Sequence, residues 1–174
     1  PPTPHKLKPC LSLDAKNLCV VMGDVDVKEA VKECITGTLS YNGQRCTALK
    51  LLFIHTSIVD EFVKLFCEAV DAMKLALPWE DGVKLTPLPE PNKPKYLTDL
   101  IEDATSKGAK VVNGLGGLQN GPFVRPSVLY PCSKEMRVWQ EEQFGPLIPI
   151  APFSTFDECY DYLAESPFGQ QVAV

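Results

Sequence analysis

The chain has 174 residues, of which 45% are hydrophobic, so it can bury one sizeable core and has about the length of one domain. Its net charge of -5 disfavours a nucleic-acid-binding protein, because such proteins present a basic face to the phosphates. No stretch approaches the ~18 apolar residues of a membrane span. We therefore expect a soluble protein that contacts neither nucleic acid nor membrane.

The first half of the chain alternates between strand and helix patterns. Residues 18–22 (LCVVM) form a short apolar run typical of a buried strand, and residues 23–26 (GDVD) offer an aspartate to cap the next helix. Helical spacing follows over residues 27–41, a second strand over 48–55, and a long amphipathic helix over 58–77. This alternation predicts an α/β fold with a largely parallel sheet and flanking helices.

The second half opens with five prolines between residues 78 and 94, which predict an irregular surface connection of the kind that often has a functional or docking role. Because the chain stops inside the last predicted strand, we expect a fragment of a longer protein. The pattern predicts two further helices, over 96–107 and 156–165, and strands over 110–112, 123–130, 147–151 and 171–174.

The glycine-rich stretch 113–121 (NGLGGLQNG) invites comparison with a nucleotide-binding loop. It fails that pattern, because Gln119 takes the place of the third glycine and a strand, not a helix, follows. A hairpin-like turn is favoured instead.

The cysteines favour free thiols over a disulfide framework. There are seven, an odd number with irregular spacing and no C-x-x-C pair, which also argues against a zinc site and for a reducing compartment. The two histidines have no third ligand in reach by spacing, so no metal site is expected. Six of the cysteines lie in apolar or helical contexts typical of inert thiols, at positions 10, 19, 34, 67, 132 and 159.

Cys46 is the exception. It follows Arg45 at a junction between the predicted helix and strand, where a loop can expose the sulfur. A neighbouring cation favours the thiolate, the form that attacks carbonyl carbons. On spacing alone, a catalytic thiol and an ordinary buried thiol both remain open.

A second candidate segment, residues 139–147 (WQEEQFGPL), places two carboxylates before an aromatic residue and a Gly-Pro turn. Glu142 and Phe144 could present a carboxylate and a ring face to a ligand. A solvated acidic turn with a core phenylalanine is the alternative, and the segment is weak evidence by itself.

Together, residues 43–48 (GQRCTA) and 141–146 (EEQFGP) resemble the two signature stretches of aldehyde dehydrogenases. The similarity is greatest to the non-phosphorylating, NADP-dependent glyceraldehyde-3-phosphate dehydrogenases, with added support from residues 85–88 and 166–170. It extends over about residues 11–174. The resemblance implies part of an aldehyde dehydrogenase catalytic domain, incomplete at both ends.

In this family a cysteine thiolate attacks the aldehyde, hydride passes to NAD or NADP, and water hydrolyses the thioester. The resemblance implies that Cys46 is the nucleophile and that its backbone N–H forms half of the oxyanion hole. Arg45 would bind the phosphate of glyceraldehyde 3-phosphate, although a surface salt bridge is its alternative role. Glu142 would hydrogen-bond the nicotinamide ribose, and Phe144 would pack near the nicotinamide. The family also implies a cytoplasmic homo-oligomer.

Two departures from the family pattern affect the expected activity. The family's Glu-Leu-Gly-Gly-Lys motif corresponds to residues 12–16 (SLDAK), so Ser12 stands where the general base should be. A serine hydroxyl is no base at neutral pH, and Asp14 could substitute only if the backbone there differs. The Rossmann-like cofactor domain is expected to be absent from residues 1–174, which leaves the NADP or NAD pocket incomplete.

Three interpretations follow from the residues and the resemblance. The first is a fragment of an ordinary aldehyde dehydrogenase. The second is a degenerate, catalytically inactive relative with a structural or interaction role, which Ser12 favours. The third is a thiol protein that performs acyl transfer or ester hydrolysis without a cofactor.

The isolated chain is expected not to oxidise aldehydes with NAD or NADP, because it supplies a nucleophile without a complete cofactor pocket. The measurement is NADH or NADPH absorbance under saturating cofactor and glyceraldehyde 3-phosphate. Sustained turnover in that assay would contradict this expectation.

Overall fold

The structure, a computed structural model, describes residue 11 and residues 13–174. Its helices are α1 Val27–Leu39, α2 Val59–Asp71, α3 Lys93–Ser106, α4 Arg137–Gln140 and α5 Phe156–Glu165, with a 3-10 turn at Ser40–Gly43. Its strands are β1 Leu18–Val21, β2 Leu51–His55, β3 Lys110–Val111, β4 Gln119–Asn120, β5 Phe123–Val124, β6 Ser127–Tyr130, β7 Leu147–Phe153 and β8 Val172–Ala173.

Six strands form the main sheet, in the order β3-β6-β7-β2-β1-β8. All neighbours pair in parallel except β3 and β6, which are antiparallel. In the register of the inner pair, Leu18 of β1 lies opposite Leu51 of β2. The predicted α/β class with a largely parallel sheet is therefore confirmed.

Helices cover both faces of the sheet, which explains why β1 is apolar at every position and β2 at every position before His55. Successive side chains of a strand point to opposite faces. Cys19 and Val21 pack with α1 and α2, whereas Leu18 and Val20 pack with Tyr162 of α5. Both sets are buried, as expected for a parallel sheet enclosed between helices.

Several elements begin and end as the sequence predicts. α5 has the predicted bounds, 156–165. Asp26 is the N-cap of α1, and its side chain accepts hydrogen bonds from the backbone of Lys28 at 2.9 Å and Glu29 at 3.1 Å. The glycine-rich stretch leads into the hairpin β4-β5, in agreement with the predicted turn.

The single strand predicted over 123–130 is wrong. The chain forms two short strands there, β5 pairing with β4 and β6 pairing with β3 and β7. Pro126 lies between them, and because proline has no backbone N–H it cannot continue a ladder. The period of the apolar residues did not reveal this change of sheet.

Several predicted bounds also need correction, and the helix predicted over 96–107 begins at Lys93. The helix predicted over 58–77 ends at Asp71, and the chain beyond it turns so that Leu75 pairs with Leu85. The helix predicted over 27–41 ends at Leu39 and tightens into the 3-10 turn. The strand predicted from residue 48 starts at Leu51. The short helix α4 was not predicted, and four residues are too few to show helical spacing.

The parallel arrangement brings four separate segments to one edge of the sheet. Residues 16–17 precede β1, residues 46–50 precede β2, residues 142–146 precede β7, and residues 167–171 precede β8. Because parallel strands all start at the same edge, these four segments are neighbours in space. No helix in the described part of the chain is long and apolar enough to cross a membrane.

Candidate active site

The chain leaves α1 through a turn that is unusual for residues other than glycine. Tyr41 and Asn42 have φ values of 53° and 60° in the left-handed region, which costs on the order of 1 kcal/mol for each residue. Two contacts offset the cost: Asn42 exchanges hydrogen bonds with Thr86 at 2.9 to 3.1 Å, and the Gln44 N–H donates to the Tyr41 carbonyl at 2.9 Å. The proline-rich connection thus docks on the loop that carries Cys46.

Cys46 is exposed while the backbone around it is fixed. Its carbonyl accepts hydrogen bonds from Nδ2 of Asn17 at 2.7 Å and from Nζ of Lys50 at 2.9 Å. Asn17 and Lys50 are buried and directly precede β1 and β2. The exposed loop around Cys46 is therefore anchored to buried side chains at the edge of the sheet where β1 and β2 begin.

The other described cysteines are less suited to attack a ligand: Cys19, whose pKa is lowered by its hydrogen bond with Cys34, is buried, and the remaining four have raised pKa values. Burial raises the pKa of Cys132 to about 12 and that of Cys67 and Cys159 to about 11. The hydrogen bond with Cys19 and burial together raise the pKa of Cys34. Cys46 is thus the described thiol with free access to a ligand; Cys10 lies outside the described residues.

Arg45 is held by neutral groups. Its guanidinium donates to Oγ of Ser40 at 2.6 Å and to Oγ1 of Thr47 at 3.1 Å, and it lies 5.9 Å from the ring centroid of Tyr41. No carboxylate within residues 13–174 forms a salt bridge with it. The alternative role in a surface salt bridge is therefore not observed among these residues. No described carboxylate neutralises the guanidinium, so it is available to bind an anion.

The two adjacent glutamates have different environments. Glu141 is partly exposed and forms a bidentate pair with Arg137 at 2.7 and 2.8 Å. Glu142 is mostly buried, and its Oε1 lies 2.9 Å from Nζ of Lys50 in an ionic contact without hydrogen-bond geometry. Of the pair, Glu142 is the one joined to the Cys46 loop.

Phe144 lies beside the Glu142 carboxylate at an open cavity of about 500 Å³, which Leu13, Asp14, Lys93 and Tyr96 also line. Nζ of Lys93 is 5.6 Å from the Phe144 ring centroid. Tyr96 donates to the Glu142 carbonyl at 2.9 Å, and burial raises the Tyr96 pKa to about 12, so the phenol stays a donor.

A second open cavity, of about 390 Å³, contains Cys46 and shares Leu13 and Asp14 with the first. The structure therefore places the candidate nucleophile and the candidate cofactor residues on two sides of residues 13–14. Asp14 is the carboxylate lining the Cys46 cavity among the described residues. Ser12, the predicted position of the missing base, lies outside the described residues.

Gly43 lets the two candidate segments touch. A Cβ atom added to Gly43 would lie 2.7 Å from the carbonyl oxygen of Gly145 and 2.8 Å from that of Thr38. Gly43 also has a φ of 72°, which disfavours other residues. The backbones before Cys46 and after Phe144 are thus in direct contact.

Four site residues were missed from the sequence: Lys16, Asn17, Lys50 and Gln143. Nζ of Lys16 donates to the Glu141 carbonyl at 2.8 Å and to Oε1 of Gln143 at 2.6 Å. Nε2 of Gln143 donates to the carbonyls of Lys50 and Leu147, both at 2.9 Å. The available signal was a lysine at the entry of an apolar strand, where an unpaired charge would be costly.

In the described part of the chain, no three His, Cys, Asp or Glu side chains are grouped as a metal ion would require. The arrangement instead combines an exposed thiol, a guanidinium free of carboxylates, and a carboxylate beside an aromatic ring. Chemically, such a site can attack an electrophilic carbon, hold an anion, and bind a hydroxylated ring compound.

The sequence profile of the Aldehyde dehydrogenase family matches residues 4–174. The NADP-dependent glyceraldehyde-3-phosphate dehydrogenase of Streptococcus equinus is 32% identical over 164 residues, which cover 94% of this chain and 34% of that protein. The benzaldehyde dehydrogenase of Bacillus subtilis is 32% identical over 170 residues, 98% of this chain and 35% of that protein. The chain thus spans about a third of the length of these relatives.

Solved structures give the same result. The NADP-dependent glyceraldehyde-3-phosphate dehydrogenase of Bacillus halodurans, complexed with NADP, superposes with a TM-score of 0.85 at 32% identity over 91% of this chain and 33% of that chain. The succinate-semialdehyde dehydrogenase of Burkholderia pseudomallei gives a TM-score of 0.86 at 30% identity, again over 91% and 33%. The similar proteins differ in the aldehydes that their names give.

Lys16 is expected to make stability depend on pH. Burial lowers its pKa to about 7, whereas an unfolded lysine titrates near 10.4. Between these values the unfolded chain binds more protons, so the free energy of unfolding rises with pH, by at most about 1.4 kcal/mol per unit. Below about pH 7 the lysine is charged in both states and adds no slope.

Urea unfolding of the wild type and Lys16→Met from pH 7 to about 8.5 measures this effect as the difference between their pH curves, because the buried cysteines titrate in the unfolded chain of both proteins in this range. The difference in the free energy of unfolding, wild type minus Lys16→Met, should rise with pH. The difference between the wild type and Lys107→Met, which removes a surface lysine paired with Asp103, should not. Parallel pH curves for the wild type and Lys16→Met would refute the assignment.

Proposed function

The chain belongs to the aldehyde dehydrogenase family, and we propose that it forms part of the catalytic domain of an enzyme that oxidises glyceraldehyde 3-phosphate to the acid with NADP or NAD. The observation that carries the proposal is the exposed Cys46 thiol on a backbone fixed by Asn17 and Lys50. A nucleophile needs both access and a fixed direction of attack.

The proposed chemistry begins with attack of the Cys46 thiolate on the aldehyde carbon. The Cys46 N–H stabilises the oxyanion, hydride leaves the carbon, and water releases the acid from the thioester. Within residues 13–174, the Cys46 N–H donates no hydrogen bond to another residue, which agrees with a donor kept for a ligand.

Arg45 supports a phosphorylated substrate. A guanidinium next to the nucleophile, held by two hydroxyls and facing no described carboxylate, can donate paired, charge-assisted hydrogen bonds to a phosphate. Glyceraldehyde 3-phosphate carries its phosphate two carbons from the aldehyde. The substrate is thus a small-molecule aldehyde, and this choice would give the enzyme a place in glycolysis.

Glu142 and Phe144 fit the ribose and nicotinamide of NADP or NAD. Glu142 and Phe144 line the same cavity, where Phe144 offers an aromatic surface. The Glu142 Oε1 atom is buried against Lys50, so Oε2 is the carboxylate oxygen available to accept from a ribose hydroxyl. Hydride acceptance is the chemistry that the nicotinamide supplies when bound. We place the Rossmann-like cofactor domain outside residues 1–174.

The proposal extends to a cytoplasmic homo-oligomer. The described cysteines are all free, including Cys19 and Cys34 with their sulfur atoms 3.8 Å apart, which fits a reducing compartment. β8, at the edge of the main sheet, offers unpaired backbone groups to a further strand.

Arg45 is tested by protection of Cys46 from iodoacetamide. Glyceraldehyde 3-phosphate should protect at lower concentration than glyceraldehyde, because only the former binds the guanidinium. Arg45→Met should weaken protection by the phosphorylated aldehyde roughly tenfold to a hundredfold, since a hydrogen bond to a charged group contributes about 1.5–3 kcal/mol. Protection by glyceraldehyde should not change.

Arg125→Met is the matched control, because Arg125 donates to the Met73 carbonyl away from the site. Equal protection of the wild type by both aldehydes would remove the phosphorylated substrate from the proposal. Failure of iodoacetamide to modify Cys46 in the folded chain would remove the nucleophile.

Ser12 favours a second candidate, a catalytically inactive relative. With p-nitrophenyl acetate as substrate, we expect one burst of p-nitrophenolate per chain. Release of acetate from the acylated Cys46 should then be slow, because position 12 has no carboxylate to activate water. Ser12→Glu should accelerate release by ~10² to 10⁴-fold. Asp14→Asn should abolish the residual release, since Asp14 lines the Cys46 cavity.

Cys46→Ser should lose the burst, and Ser106→Glu, the same charge change on the exposed end of α3, should leave release slow. If Ser12→Glu gives the same burst as the wild type and releases acetate no faster, the inactive relative is favoured. A stable partner complex without a burst would favour it as well.

A further inference from the structure

Lys50 carries a buried charge that the proposed reaction does not use. Its side chain is 1% exposed, and its ammonium has three oxygen partners: the carbonyls of Arg45 at 3.1 Å and Cys46 at 2.9 Å, and Oε1 of Glu142 at 2.9 Å. Burying an ammonium costs several kcal/mol, which only well-placed partners offset. All three partners belong to the two segments that form the site.

The hydrogen bond from Lys50 to the Arg45 carbonyl also fixes the direction of the Cys46 N–H. The Arg45 carbonyl and the Cys46 N–H belong to one planar peptide, and in a trans peptide they point in opposite directions. Ala48 also donates to the Arg45 carbonyl, at 3.2 Å. Because Lys50 and Ala48 hold the oxygen, the Cys46 N–H is directed away from the buried ammonium.

The next peptide is fixed in the same way. Nζ of Lys50 and Nδ2 of Asn17 both donate to the Cys46 carbonyl. Asn17 also donates to the Ala48 carbonyl at 2.8 Å. The peptides on both sides of the Cys46 Cα atom are therefore anchored, so neither can rotate without breaking hydrogen bonds to a buried side chain.

We propose that Lys50 is a positioning residue, which directs the backbone N–H of Cys46 toward the developing oxyanion and ties that donor to the Glu142 carboxylate. This inference rests on the proposed function of Cys46 as the nucleophile. Lys50 touches no substrate and acts through the peptide it holds. Its second effect is to neutralise Glu142 while the carboxylate awaits a ribose hydroxyl.

Two reagents separate this role from a merely structural one. Acylation of Cys46 by p-nitrophenyl acetate develops an oxyanion, whereas alkylation by iodoacetamide does not. Lys50→Met should lower the acylation rate at least tenfold, because loss of an oxyanion donor costs about 10² to 10³-fold. The alkylation rate should change less than threefold, so the ratio of the two rates falls.

Val70→Ala in α2, a buried substitution outside the site, controls for loss of stability and should retain the wild-type ratio. If Lys50→Met does not fold because Glu142 is left without a countercharge, Lys50→Met with Glu142→Gln takes its place and should show the same fall.

The possible outcomes distinguish the two proposals. A wild-type chain without a p-nitrophenolate burst overturns the proposed function and this inference with it. A wild-type burst together with an unchanged acylation-to-alkylation ratio in the Lys50 variants overturns the inference alone. A parallel fall of both rates assigns Lys50 to folding of the loop and also overturns it.

Discussion

The candidate site depends on the burial of two lysine side chains at the edge where the parallel strands begin. Lys16 precedes β1 and Lys50 precedes β2, and both are almost fully buried. Gln143 connects them, because it accepts from the Lys16 side chain and donates to the Lys50 carbonyl. Each buried Nζ needs oxygen partners for its N–H groups, and those partners are backbone and side-chain atoms of the site segments.

This requirement explains why an exposed loop can have a defined geometry. Loops at a surface are ordinarily mobile, since few buried contacts restrain them. Two carbonyls of the Cys46 loop instead stabilise the charge of Lys50, and the same contacts restrict the backbone of the loop. Burial of this cation thus makes the backbone at Cys46 rigid.

Sequence reasoning recovered the elements that depend on local patterns. The Asp26 cap, the α5 bounds and the apolar β1 all follow from contacts within a few residues or from burial on both faces. The split of the predicted strand at Pro126 did not, because it depends on which strands lie beside each half. Ends of α1 and α2 were displaced for the same reason: the turns after them are stabilised by distant partners such as Thr86.

The site shows the same division. The sequence predicts Cys46, Arg45, Glu142 and Phe144 as site residues because two short stretches resemble a family pattern, and the structure brings these two stretches into contact. Lys50 lies only four residues after Cys46, yet in the sequence it is a lysine among apolar neighbours, which is equally typical of a surface position. Whether a lysine is buried depends on where the strands on either side of it lie, and that information is not local.

The buried contacts also explain why two polar oxygens remain without hydrogen bonds. Asn17 uses its amide nitrogen for two carbonyls of the Cys46 loop, so its Oδ1 has no described partner, and Glu142 Oε1 has only the ionic contact with Lys50. An unsatisfied buried oxygen such as Asn17 Oδ1 reduces stability by about 1–3 kcal/mol, whereas the ion pair with Lys50 compensates Glu142 Oε1. Both oxygens belong to residues that contact Lys50 or its loop, so this edge of the sheet favours a fixed backbone at Cys46 over maximal stability.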